Sequence, residues 1–156
     1  MWLDTLNEKH YRAAYDMAMA NEPYSSDLSF EQFTGMMKKR EGYVVVAPDG
    51  NLVGCVSFSD YIPEVNAIIH CVVDKKYQKR WVTKKMLKTV WGYVFDTLHL
   101  PRISGFCVKG LSENAGKFLV RLGFKEEGII RKGFKSGNEL YDLMLFGMLK
   151  EECKWV

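Results

Sequence analysis

Twelve residues, Asp74 to Lys85 (DKKYQKRWVTKK), hold six lysines and arginines against one carboxylate. Before them stands a short apolar run, Ile68, Ile69, Cys71, Val72 and Val73. After them Val82, Met86, Leu87, Val90, Val94, Phe95 and Leu98 recur at steps of three and four. The first pattern predicts a strand covered on both faces, and the second an amphipathic helix with one apolar stripe. A strand that enters a helix through a cationic loop leaves the free N–H groups of the first helical turn in a positive mouth. That chemistry suits an anionic ligand, with Lys79 and Arg80 on it. The plain alternative is a solvated helix start whose charges face water.

The remaining elements must hold that loop. Asn7 is a fair N-cap for a helix over residues 7 to 20, with Tyr11, Ala14, Tyr15, Ala18 and Met19 at helical spacing. Residues 21 to 27, which include Pro23, break it. Ser29, with Gln32 three residues on, has the form of a capping box and opens a second helix that Gly42 is expected to end. Tyr43 to Ala47 and Leu52 to Ser59 read as a hairpin across Pro48 to Asn51. Asp60 to Glu64 reads as a loop, and Val65 to Val73 as the central strand. Pro101 introduces a strand from Arg102 to Val108, parallel to the central one because strand, helix, strand is the right-handed crossover unit. Ser112 or Asn114 caps a helix that Gly123 closes, with Ala115, Phe118, Leu119 and Leu122 facing inward. Phe124 to Phe134 and Leu140 to Leu149 make a terminal hairpin across Lys135 to Asn138.

With 156 residues, 47% of them apolar, the chain is expected to form one domain over 1–156 with a substantial core. A net charge of +3, concentrated in one loop with few interleaved aromatics, argues against a nucleic-acid partner. No apolar run approaches the roughly 18 to 20 residues of a membrane span, and the first residues lack a basic, then apolar leader. The expected location is cytoplasmic, away from membrane. Cys55, Cys71, Cys107 and Cys153 stand far apart without C-x-x-C spacing, so they read as reduced thiols and no metal site is expected. Cys71 and Cys107 read as core.

Valine-aspartate, then Tyr77, Gln78 and the basic loop, resembles the acyl-CoA loop of the GNAT N-acetyltransferase superfamily, whose usual pattern is Gln/Arg-x-x-Gly-x-Gly/Ala. Gln78 takes the first place, while Trp81 and Thr83 stand where the two small residues would be. Glycine there lets the backbone come close to a pyrophosphate, and a Trp side chain must turn away for its N–H to do the same. The Arg80-Trp81-x-Thr83 form, with the chain end from Met148 to Trp155, is similar to a bacteriophage-borne branch of the superfamily. Ser112 to Phe124 resembles the second signature, Asn-x-x-Ala-x-x-x-Tyr-x-x-x-Gly-Phe. Ala115, Gly123 and Phe124 match it, with Ser112 in the Asn place and Leu119 in the Tyr place. The resemblance covers essentially the whole chain. It implies an α+β (α/β/α) GNAT acyl-CoA N-acyltransferase fold with a mixed central sheet of about six to seven strands flanked by about four helices.

The resemblance further implies acetyl-CoA as co-substrate. Its ligands would be the strand edge Cys71, Val72 and Val73, the loop residues Gln78, Lys79, Arg80, Trp81, Val82, Thr83 and Lys84, and Ser112 or Asn114 as donor to the pantetheine chain. Trp81 could pack on the adenine or on the neighbouring helix, or plug the site. Relatives often use a Glu on the central strand as base. Here the nearest titratable group is His70, whose unperturbed pKa near 6.5 suits an amine at neutral pH, although a lone His in an apolar strand is more often structural. Glu64 and Asp60 are alternatives against ordinary solvated loop charges. Leu119 cannot protonate a leaving thiolate, so that task falls to water or to Tyr141. Direct attack by an amine works mainly by positioning, with the carbonyl oxygen polarised by N–H groups at Val72 and Val73 if that strand is bulged and splayed from the next.

The expected function is therefore acetyl transfer to a primary amine of a small molecule or protein, without metal or covalent intermediate. The acceptor would lie among the first two helices, the loop Asp60 to Val65 and the terminal hairpin. The alternative is a catalytically inactive phage protein on the same fold that docks on a host or virion partner. It is suggested by Trp81, Thr83 and Leu119, and an exposed patch at Trp2, Tyr24 or Trp155 would mark it. A homodimer paired through Leu140 to Leu149 is a further expectation left open.

Overall fold

Residues 1–21 and 27–155 are described by a computed structural model. In chain order the elements are β1 (Trp2–Thr5), α1 (Tyr11–Asn21), α2 (Phe30–Met37), β2 (Glu41–Val46), β3 (Leu52–Ile62), β4 (Asn66–Val73), α3 (Lys84–Gly92), β5 (Arg102–Val108), α4 (Glu113–Leu122), β6 (Lys125–Ser136) and β7 (Glu139–Leu149). The strands form one mixed sheet in the order β1-β2-β3-β4-β5-β7-β6. With four α-helices, this is the α+β architecture that the sequence predicts. β4 and β5 run parallel, with Ile68 beside Ser104, as a strand-helix-strand crossover requires. Packing divides the chain into two compact units, Met1–Ser59 with His70–Leu87, and Asp60–Ile69 with Lys88–Val156.

The core of the first unit forms where α1 and α2 lay their apolar stripes on alternate residues of the strands. Tyr11, Ala14, Met17 and Ala18 meet Phe33, Met37, Val44, Val46 and Cys55, with Val72 of β4 at the margin. Both capping residues act as expected, although Asn7 caps a 3-10 turn, Glu8–His10, that precedes α1. The Asn7 side chain accepts from the Lys9 N–H, and Ser29 and Gln32 cap one another's backbone. The break assigned to Pro23 lies outside the described residues. β1, which the sequence reading missed, is a four-residue strand paired with Tyr43 to Val46 of β2, too short to show alternation. Gly42 does not end the second helix. That helix stops at Met37 in tight turns, with the Lys39 and Arg40 N–H groups donating to Met36 and Met37. Gly42 lies inside β2, where an added Cβ would overlap the Val56 carbonyl oxygen and approach Ser57 Cα at 2.7 Å. The glycine serves close strand approach here, not helix termination.

In the second unit Trp91 stacks on Phe95 and tilts against Phe124, with ring centroids 6.1 and 5.9 Å apart. A single π-helical turn, Tyr93–Thr97, ends this helical region, with the Leu98 N–H donating to the Tyr93 carbonyl at 2.9 Å. α4 packs through Gly116, Leu119 and Leu122, while Ala115, expected to face inward, is exposed. Leu119 and Leu122 face inward as expected, and Gly116 takes the place of Ala115 because it fits against Cys107 Sγ, 3.0 Å from where its Cβ would stand. A polar chain runs over the sheet: Glu127 of β6 meets Arg102 of β5 at 2.7 Å, Arg102 donates to Ser104 at 3.1 Å, and Ser104 donates to Asn66 of β4 at 3.0 Å. β7 lies between β5 and β6, and Leu143 to Gly147 are paired on both edges. Pairing across a dimer through Leu140 to Leu149 would need an edge outside that stretch.

β4 is not covered on both faces as its apolar run suggests. Ala67 alone is buried in it, and His70 to Val73 are half-exposed. β3 also runs on to Ile62, so Asp60, Tyr61 and Ile62 extend a strand that the sequence reading ends at Ser59. Gly42→Ala is expected to destabilise the protein by about 3 kcal/mol, because a methyl group there must displace backbone. Chemical denaturation of the two variants side by side would measure it.

Candidate functional site

The end of β4 and the start of α3 both belong to the first unit, and local bonds shape the loop between them. The Asp74 N–H donates to the Val53 carbonyl of β3 at 2.9 Å, which anchors the loop's first residue. The Asp74 side chain then caps a short 3-10 turn, Lys75–Tyr77, by accepting from the Lys76 N–H at 2.8 Å. A second turn follows, with the Arg80 N–H donating to the Tyr77 carbonyl at 2.8 Å. Lys75, Lys76, Gln78, Lys79, Arg80, Thr83, Lys84 and Lys85 are all exposed.

Trp81 behaves differently from its neighbours. It is 7% exposed, and its ring lies 3.6 Å from where a Gly54 Cβ would stand on β3. The indole is turned into the fold. Thr83 has a clear local task as well. Its Oγ1 accepts from the Met86 N–H at 3.2 Å, and its carbonyl accepts the first helical bond from Leu87 at 3.0 Å, so it is the N-cap of α3. Among the described residues the N–H groups of Val82, Thr83 and Lys84 find no acceptor. Exposed cations thus surround open helix-start N–H groups, an arrangement whose chemistry suits an anion.

Strand alternation divides the side chains of β4. Val72 joins the core under α1 and α2, so His70, two residues earlier, projects to that same face. Val73 projects to the other, where it meets Gly54 beside Trp81. Cys71 shares the face of Val73 and is half-exposed, whereas Cys107 is buried; among the described residues no cysteine forms a disulfide. Burial pushes the Cys55 thiol up to about 12. His70 Nε2 stands 2.7 Å from the Ser59 hydroxyl of β3. Ser59 was not among the residues selected from sequence. A serine in the return strand of a hairpin can face a histidine in the next strand, but which residues meet is set by the register between β3 and β4, which the sequence does not give.

In the second unit the proposed donors and acids are locally engaged or exposed. The Ser112 Oγ accepts from the Val108 N–H at 2.7 Å and faces the Val108 carbonyl at 3.4 Å, closing the β5–α4 corner. Asn114 is exposed in the first turn of α4. Leu119 packs against Gly105 in the core. Glu64 and Asp60 are exposed, with left-handed backbone at φ 61° and 49°. The Tyr141 hydroxyl donates to Glu139 at 2.5 Å, and that bond raises its pKa and holds back its proton. Trp155 is pinned by its indole N–H to the Leu122 carbonyl at 3.1 Å, Trp2 is 49% exposed, and Tyr24 lies outside the described residues. Among the described residues no three His, Cys, Asp or Glu side chains group to hold a metal ion, and no helix is long and apolar enough to cross a membrane.

A family model described as the Acetyltransferase (GNAT) family matches residues 4–124, and the chain belongs to that family. An uncharacterized N-acetyltransferase of Bacillus subtilis (strain 168), YnaD, is 27% identical over 111 residues, 70% of this chain and 64% of its own length. A second protein of that organism, YdaF, provisionally named a ribosomal N-acetyltransferase, is 28% identical over 106 residues, 67% of this chain and 57% of its own. The chain thus spans less than two thirds of these curated relatives. Among solved structures, spermidine N-acetyltransferase from Vibrio cholerae in complex with CoA and spermine superposes with a TM-score of 0.77. It is 18% identical, and the match covers 97% of this chain and 96% of that one, which shows a shared fold.

Two substitutions test the loop. Trp81→Ala should cost about 3 to 5 kcal/mol of stability as a buried aromatic. Thr83→Ala should cost about 1 kcal/mol through loss of the cap. Thermal and denaturant melts read both, and a smaller loss at Trp81 than at Thr83 would contradict the buried placement.

Proposed function

We propose that this protein transfers the acetyl group of acetyl-CoA to a primary amine of a small molecule or protein. The observation that carries the reading is the α3 start, where Trp81 is folded away and open N–H groups stand among exposed cations. Lys79, Arg80 and the backbone from Val82 to Lys84 hold the pyrophosphate, and the edge of β4 at Cys71 to Val73 lies along the pantetheine chain. Gln78 and Trp81 complete the loop as shape rather than as charge. When bound, acetyl-CoA supplies an activated thioester.

What the chain contributes is position and proton handling. The half-exposed edge at Val72 and Val73 supplies N–H groups to the developing carbonyl oxyanion. His70 serves as base, and water protonates the leaving thiolate, since Leu119 is core and Tyr141 is tied to Glu139. On α4, Ser112 is spent on Val108, while Asn114 is exposed. Glu64 belongs to the acceptor side. Support for an amine acceptor comes from family membership and from the relatives, one of which is a polyamine acetyltransferase and one provisionally ribosomal. The named relatives are bacterial and lend no support to a bacteriophage-borne branch.

A melting titration tests the reading. Acetyl-CoA at about 100 times its dissociation constant should add about 2.7 kcal/mol of stability, with a smaller rise from ADP. Arg80→Ala should weaken binding about tenfold, which is about 1.4 kcal/mol. No rise at millimolar acetyl-CoA would overturn the proposal.

A further inference from the structure

We infer that Ser59 is a proton relay between an attacking amine and His70, an inference that rests on the proposed acetyl transfer. The Ser59 hydroxyl and His70 Nε2 are 2.7 Å apart on neighbouring strands, the length of a well-formed hydrogen bond. Both side chains are half-exposed, so the pair is neither sealed in the core nor loose in water. Alternation puts them on the face of the sheet that α1 and α2 cover, since Cys55 of β3 and Val72 of β4 belong to that core. Trp81 and Val73 occupy the other face, which separates the proton-handling pair from the loop residues.

The relay needs one direction of that bond, the Ser59 hydroxyl donating to Nε2. A hydroxyl that donates to Nε2 holds the imidazole in the tautomer with its proton on Nδ1. Nε2 is then reached through Ser59. As the amine nitrogen bonds to the thioester carbonyl carbon and the C–S bond breaks, the N–H proton passes to Ser59 Oγ while the Oγ proton passes to His70 Nε2. The sulfur leaves as thiolate and takes up a proton from water, and the imidazolium returns its proton to solvent. The products are amide and thiol, and both side chains are restored.

The first test does not depend on any acceptor. Long-range nitrogen-15 spectra of the full chain at neutral pH should show His70 protonated at Nδ1. In Ser59→Ala the balance should move toward the other tautomer, and Ser59→Thr should restore it. A proton on Nε2 in the unmodified protein would overturn the relay whatever the enzyme acetylates. The second test follows thiol release from acetyl-CoA with spermine as amine probe. Ser59→Ala should lower kcat about 100-fold with KM for acetyl-CoA unchanged, and Ser59→Thr should recover most of it. The double variant with His70→Gln should lose no more than either single one, because the two act as a unit. Unchanged kcat in Ser59→Ala, or additive losses, would overturn it. Failure of acetyl-CoA to raise the melting temperature would instead sink acetyl transfer, and the spectra would still decide whether Ser59 donates to His70.

Discussion

The seat of the Trp81 indole over Gly54 is the contact on which the loop between β4 and α3 depends. A side chain on residue 54 would meet the Val72 carbonyl oxygen at 3.2 Å, Val73 at 3.5 Å and the indole at 3.6 Å, so three groups share the space one glycine leaves. With the ring inside, the loop backbone is free to turn outward and the cations follow it. With the ring outside, the same residues would present a bulky hydrophobe where an anion must approach. Thr83 completes the arrangement by capping α3 from the place where the superfamily usually has a small residue. The departures from the usual loop pattern are thus accommodated by packing and capping, two ordinary local interactions.

β4 shows how one strand can serve two surfaces. Residues with period 2 alternate between the α1–α2 core, which takes Val72, and the face that carries Gly54, Val73 and Trp81. His70 falls on the first face and meets Ser59 there. A helix could not separate the two sets so cleanly, because its neighbours at three and four residues share a face. The incomplete cover of His70 to Val73 matters too, since a strand sealed on both sides would offer no edge to a substrate.

In the second unit the chain Glu127–Arg102–Ser104–Asn66 ties β6, β5 and β4 by side chains, crossing β7 over Gly147, where a Cβ would overlap the Glu127 carboxylate. Half-exposed ion pairs contribute little stability singly, so its value lies in register. It holds β5 beside β4 at the level of Ile68 and Ser104, where the parallel pairing is made. β7 lies between β5 and β6, and the outer edge of the sheet falls to β6.

Much of this was legible in order. The capping residues Asn7, Ser29 and Gln32, the turn at Pro48 to Asn51, the strand Arg102–Val108 and the glycine at 123 act within a few residues of themselves, and local chemistry reads directly from sequence. Gly42, Ala115 and the tetrapeptide Trp2–Thr5 misled or escaped the reading because their roles are set by distant partners: the Val56 carbonyl, the Gly116 seat on Cys107, and β2. The same division runs through the candidate site. Sequence alone determined a cationic loop at a helix start and a lone histidine in an apolar strand. Only the tertiary structure decided that Trp81 turns inward over Gly54 and that His70 has Ser59 for a neighbour, whereas Ser112 is spent on Val108 and Tyr141 donates to Glu139 within a few residues of themselves. Spacing along the chain determines which way a residue faces, whereas the partner it meets depends on how strands far apart in sequence come into register.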